Sequence, residues 1–83
     1  MTSGVEGLTA AKARWVLATG KPLEDIDDFM AMNDEGRRVR LQLWKAERWS
    51  QDKTAWAKMI DALAAVSQLV VGLEDIVNFA RSL

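Results

Sequence analysis

The chain contains no cysteine, no histidine and no tyrosine. Disulfide bonds and thiolate chemistry are therefore excluded, and active sites built on an imidazole base or a phenol are excluded with them. Serine is present, and the spacing from Ser50 to Lys53 suits a serine–lysine pair. These two residues fit the capped first turn of a helix better. The sequence predicts a protein that is not an enzyme and that needs no cofactor.

Long apolar runs are also missing. The longest nearly apolar stretch, residues 62–73, is shorter than the roughly 20 residues that span a bilayer. Residues 1–7 have neither the basic start nor the apolar core of a signal peptide. We therefore expect a cytoplasmic protein without a membrane span. A chain of 83 residues is one domain with a marginal core, for which oligomerisation is a common remedy.

The net charge of −1 conceals two blocks of opposite sign. Residues 21–36 hold one lysine and six acidic residues, and residues 37–58 hold seven basic and two acidic residues. The blocks either neutralise each other within the fold or across a subunit boundary, or they leave a basic surface for an acidic partner. The sequence leaves both interpretations open.

Apolar residues recur with helical spacing along most of the chain, and strands with strict alternation are absent from the pattern. We predict an all-α fold, a small bundle of about four helices. Thr9 and Ser50 are candidate N-caps for the first and fourth helices, while Gly20 and Pro22 separate the first two. The expected ranges are about 9–19, 22–32, 35–49 and 51–82.

The last predicted helix carries an unbroken apolar heptad pattern. We call its eight a and d positions the C-terminal seam, and we expect the seam to join subunits. A third apolar row at g, formed by Leu69, Ile76 and Leu83, favours a bundle over a two-stranded coiled coil. The seam residues are Trp56, Leu63, Val70 and Val77 at a, and Met59, Val66, Leu73 and Ala80 at d.

Gly72 decides whether the seam lies on one helix. The heptad phase runs through this glycine unchanged, so we expect a continuous helix that is too long for the rest of the chain to cover, and hence a homo-oligomer. Glycine also ends helices, and a break would permit a compact five-helix monomer. The segment from Leu23 to Phe29 resembles that from Leu73 to Phe79, and a duplication of this segment would favour the break.

The predicted third helix is basic and has two apolar faces. One face holds Leu41 and Trp44, and the other holds Val39, Leu43 and Ala46. Either both faces pack on neighbouring helices, or the first presents tryptophans and arginines to a partner. The candidate residues for partner binding are Arg37, Arg40, Leu41, Trp44, Arg48 and Trp49.

Two familiar sites are not supported by the acidic residues 24–28. Phe29 and Met30 stand where a calcium loop starting at Asp25 needs an oxygen ligand and a glycine, so we expect no metal. The same acidic helix would be repelled by DNA as the second helix of a helix-turn-helix.

The best interpretation is a non-enzymatic helical module for protein–protein interaction and oligomerisation, such as a small adaptor, inhibitor or antitoxin-like protein. We expect it to bind itself and another protein. The alternative is a small nucleic-acid-binding regulator that uses the basic third helix. Peripheral attachment to a membrane through the C-terminal helix is a weaker alternative, because the polar face of that helix lacks the expected basic residues.

Overall fold

The computed structural model describes residues 4–49 and 51–83, leaving aside the side chains at positions 5, 6 and 48. These residues form a compact all-helical structure with a Cα radius of gyration of 12.1 Å. Five α-helices account for most of it: α1 (Gly4–Thr19), α2 (Leu23–Ala31), α3 (Asp34–Trp44), α4 (Lys53–Ser67) and α5 (Glu74–Ser82). A π-helical turn, Lys45–Trp49, extends α3. The all-α prediction is confirmed.

The helices form a closed ring around one core. Going round it, the order is α1, α2, α3, α5 and α4, and α4 packs back along α1. The π-helical turn also touches α4. The core has an aromatic group in which Trp44 lies between Trp15 and Phe29, with ring centroids 5.6 and 5.5 Å apart. A fourth and fifth ring, Trp49 and Trp56, pair at 5.6 Å.

The prediction of one continuous C-terminal helix is wrong. Helix α4 ends at Ser67 and α5 begins at Glu74, because Gly72 adopts a φ of +94° that glycine alone tolerates easily. The chain turns there, and α5 runs back along α4. At the far end of this hairpin the Trp56 Nε1 donates a hydrogen bond to the Ala80 carbonyl at 3.2 Å.

Helices α1 and α4 start away from their predicted N-caps, whereas α3 starts one residue before its expected position. Helix α1 begins at Gly4, well before Thr9, and Gly7 and Leu8 are half-buried. The side chain of Asn33 caps α3 by accepting from the Gly36 N–H at 2.8 Å. Helix α4 is capped by Asp52, which accepts from the Ala55 N–H at 2.9 Å. Ser50, the predicted cap, lies outside the described residues.

Candidate protein-binding surface

Of the two apolar faces of α3, the one that points inward is the Leu41 and Trp44 face. Leu41 is fully buried and Trp44 is 2% exposed. Helices α2 and α5 pack on either side of α3, and the aromatic group of the core includes Trp44. This face is therefore part of the core and is not available to a partner in the closed chain.

The π-helical turn brings Trp49 into the core as well. A π-helix closes hydrogen bonds over five residues, where an α-helix closes them over four, so residues five apart come to the same side. Trp44 and Trp49 are five apart, and both are buried. The sequence prediction assumed 100° per residue throughout, which placed Arg48 on this face; the Arg48 side chain lies outside the described residues.

Arg37 serves the end of α2. Its Nη2 donates to the Met30 carbonyl at 2.7 Å and its Nε donates to the Phe29 carbonyl at 3.2 Å. The last carbonyls of a helix have no partners within the helix. Arg37 supplies a charged donor to both of these carbonyls, and the Phe29 carbonyl also accepts from the Met32 backbone N–H at 3.2 Å. An ion pair to Asp34 at 3.2 Å holds the guanidinium in place. Of the arginines proposed to bind a partner, Arg37 therefore makes its hydrogen bonds within the fold.

The opposite face of α3 remains in solvent. Val39 is 59% exposed and Leu43 is 48% exposed, and Ala46 is also exposed. Towards the N-terminus, the half-buried Gly36 and Met32 continue the same line. We call these five residues the outer face of α3. Within α3, Gly36, Val39 and Leu43 are spaced by three and four residues, which is the spacing of the contact positions on a helix that packs against another helix. Met32 precedes α3 and lies beside Gly36, and Ala46 lies in the π-helical turn.

An open groove runs along the N-terminal half of the outer face. Met32, Val39 and Leu43 supply its apolar wall, while Glu35 and Arg40 stand at its edges. Arg40 is half-buried and is the one residue of the predicted partner-binding set whose described side chain lines this groove. The groove has the chemistry of a helix-binding surface: an apolar strip between charges of both signs.

The C-terminal seam lies mostly inside the chain. Trp56, Met59, Leu63, Val66, Leu73, Val77 and Ala80 are buried between α4, α5 and their neighbours. Val70, in the turn, is half-buried. The seam therefore does pair apolar helix faces, and in the closed chain its partner is the same chain. Self-association through the seam requires α5 to separate from α4.

Other exposed apolar side chains are more scattered. Leu17 on α1 is 86% exposed and Leu23 on α2 is 47% exposed. In the turn between α4 and α5, Leu69 is 48% exposed and Val71 is fully exposed. Single exposed apolar residues are normal, whereas a line of them on one helix marks an interaction surface.

Among the described residues, no group of three acidic side chains is arranged to hold a metal ion. No helix of the described part of the chain is long and apolar enough to cross a membrane. No protein-family model, curated protein or solved structure matches this chain.

The sequence pattern identifies two apolar faces on α3, one of which is part of the outer face. The face predicted to bind a partner is the other, the Leu41 and Trp44 face. The missed signal was in the flanking helices: α2 and α5 each bring a buried isoleucine and a phenylalanine and need the larger side chains of α3 to pack on. Leu41 and Trp44 supply a larger surface than Val39, Leu43 and Ala46 do, chiefly through the tryptophan.

Proposed function

We propose that this protein is a non-enzymatic helical interaction module that binds another protein through the outer face of α3. The observation that carries the proposal is the line of apolar side chains that α3 exposes while its opposite face fills the core. A partner that supplies one amphipathic helix would cover this line, since helix-in-groove recognition uses anchors at the same spacing.

The size of the surface implies a modest affinity from α3 alone. Covering the exposed halves of Val39 and Leu43 contributes on the order of 2 kcal/mol; of the remaining residues of the outer face, Met32 is already half-buried and Gly36 and Ala46 are small. The charged edges, Glu35 and Arg40, add specificity and association rate more than affinity. Such a module suits a regulator or adaptor that binds and releases its partner.

The proposal is tested by capture from the source cells with matched variants. Val39→Glu with Leu43→Glu puts two charges on the outer face, and Leu17→Glu puts a charge on a more exposed apolar position of α1. We expect the wild type and Leu17→Glu to enrich the same protein, and the double variant to lose it by at least about tenfold, as expected when a charge replaces a buried apolar anchor. Circular dichroism verifies that all three are folded.

Equal capture of the partner by the double variant would contradict this assignment of the surface. The alternative of nucleic-acid binding has a separate signature. It requires affinity for duplex or single-stranded DNA that falls steeply with salt and is lost in Arg40→Ala. Arg37 is engaged in hydrogen bonds to the end of α2, so one fewer arginine is available to bind phosphate groups. This favours a protein partner over a nucleic acid.

A further inference from the structure

The C-terminal hairpin pairs its two arms in a register that a dimer of straight helices would reproduce. Helix α4 runs towards the turn and α5 runs back from it, and Trp56 meets Ala80 at the open end. These two residues are equidistant from Gln68 along the chain. Counting inward from them along the two arms, Met59 falls opposite Val77 and Leu63 falls opposite Leu73, in each case an a position against a d position, while Val70 lies in the turn.

Two copies with straight C-terminal helices would form the same pairs between chains. If residues 53–82 ran as one helix of about 45 Å, two such helices could lie antiparallel with their midpoints at Gln68. Trp56 of one copy would then meet Ala80 of the other, and the remaining pairs would follow in the same order. The heptad phase stays constant through the turn, so every seam residue would keep its place on the contact face.

We propose that this protein forms a dimer in which two copies exchange α5 by straightening the turn between α4 and α5. The occupant of the surface that α5 vacates is the α5 of a second copy. Exchange of an identical element is a low-cost route to a dimer, because each contact of the closed chain is restored in the dimer. The proposal rests on the self-association expected of this module and does not involve the outer face of α3.

Two features of the turn support the exchange. Val70 is the seam residue left half-buried in the closed chain, and the straight pair would bury it against Val66 of the other copy. Leu69, half-exposed in the closed chain, would lie beside the two-fold axis, close to the same residue of the second copy. The turn thus carries apolar side chains that the closed hairpin leaves partly in solvent.

The conformation of Gly72 affects the equilibrium between the closed chain and the exchanged dimer. Its φ of +94° closes the hairpin, and an L-residue there is strained. There is open space where a Cβ would be, so alanine at this position is disfavoured by its backbone conformation and not by a collision. In a straight helix, alanine is favoured over glycine. Gly72→Ala therefore acts against the closed chain and for the dimer.

The other hairpin supplies a matched control. Gly20, between α1 and α2, also has a positive φ, of 69°. Pro22 follows two residues later and prevents one helix from continuing through this turn. Gly20→Ala should therefore destabilise the fold without producing a dimer.

The test measures mass by light scattering across a range of concentrations for the wild type, Gly72→Ala and Gly20→Ala. We expect the dissociation constant of the dimer to fall at least about tenfold in Gly72→Ala relative to the wild type, and to remain unchanged in Gly20→Ala. Adding Val71→Pro to Gly72→Ala should restore the monomer, because proline interrupts the straight helix. A Gly72→Ala protein that stays monomeric at every concentration overturns the proposal.

A pair of cysteines distinguishes exchange from side-by-side association. Met59→Cys with Val77→Cys, in a chain that has no other cysteine, places thiols on opposing seam positions. Oxidation of the Gly72→Ala dimer should link two chains covalently, whereas oxidation of the closed monomer should link each chain to itself. A dimer without covalently linked chains contradicts the exchange.

The two proposals can fail separately. A dimer that is insensitive to Gly72→Ala but lost in Val39→Glu with Leu43→Glu would mean that copies associate through the outer face of α3. That result would refute the exchange of α5 while retaining α3 as an interaction surface.

Discussion

Helices α2 and α5 share the same short motif at their starts, Leu-Glu-Asp-Ile followed three positions later by phenylalanine, yet they bury its residues differently. Leu23 is the first residue of α2, whereas Leu73 immediately precedes α5. Leu73 and Ile76 are both fully buried, whereas Leu23 is 47% exposed and Ile26 is fully buried. The chain reaches Leu23 through an extended proline, but it reaches Leu73 through the left-handed Gly72, which turns it back towards α4. The same four residues stand at the start of a helix in both places, but the conformation of the preceding residues decides whether the leucine is buried.

Two adjacent arginines of α3 extend this comparison. Arg37 donates to the carbonyls of Phe29 and Met30 at the end of α2. Arg38 lies over the ring of Phe79 on α5, 5.3 Å from its centroid. One arginine therefore satisfies backbone acceptors, while its neighbour covers a half-buried ring. Changes at equivalent positions of the two helices should have different costs.

The phenylalanines should show the largest difference. Phe29 is fully buried and stacks on Trp44, so Phe29→Ala should lower the free energy of unfolding by about 3–5 kcal/mol. Phe79→Ala should cost clearly less, because part of that ring is already in solvent. Urea unfolding followed by tryptophan fluorescence at low protein concentration measures both. Equal costs would mean that α2 and α5 contribute alike.

The leucines that open the two repeated motifs, Leu23 and Leu73, should show the opposite order of costs, with the larger loss of stability at the α5 end. Leu73→Ala should cost about 2–5 kcal/mol, as for other fully buried leucines. Leu23→Ala should cost under about 1 kcal/mol, since half of the side chain is exposed and exposed positions tolerate change. The same unfolding experiment applies. A larger cost at Leu23 would contradict the role given to the turn at Gly72.

The arginines should follow with smaller effects. Arg37→Ala leaves two carbonyls without their charged donor and should cost about 1.5–3 kcal/mol. Arg38→Ala removes an exposed cation–π contact worth about 0.5–1 kcal/mol. Arg37→Lys is the matched control, because it keeps the charge without the forked donors and should recover only part of the loss. Full recovery would show that charge alone stabilises the end of α2.

Two tryptophans should show the smallest effects. Trp56→Phe removes the hydrogen bond to Ala80 and should cost about 1 kcal/mol beyond the change in ring size. The Nε1 of Trp15 is buried and has no hydrogen-bond partner among the described residues. Trp15→Phe removes that unpaired donor, so the loss of ring volume should be partly offset. Thermal unfolding of the pair gives the comparison, and a greater loss in Trp15→Phe would indicate that packing volume outweighs the donor.

The sequence pattern predicted which segments are helical, but it did not predict which element each apolar helix face packs against. A heptad pattern states which residues share a face, and it holds equally for a straight helix and for a hairpin whose arms pair about Gln68. The preference for a continuous helix through Gly72 was wrong for that reason. The compact five-helix form that the break permits is the one the structure shows.

The same limit applies to α3 and its two apolar faces. Periodicity identified both, but the choice between them depends on where α2 and α5 pack, which only the assembled ring decides. The π-helical turn added a second difficulty, because it moved Trp49 into the core against the phase of an ideal α-helix. The sequence also did not reveal that Arg37 donates to the end of α2, because no local pattern shows that a helix end needs a donor.

The closed ring also has a consequence for the order of folding. Helix α1 has its most extensive contacts with α4, although the two are separated in the chain by α2, α3 and the π-helical turn. The local pairs can form as soon as their loops close, whereas the pairing of α1 with α4 must close a much longer loop and pays more chain entropy. We therefore expect the contact between the first and fourth helices to form last and to be the step that excludes water from the tryptophan-rich core.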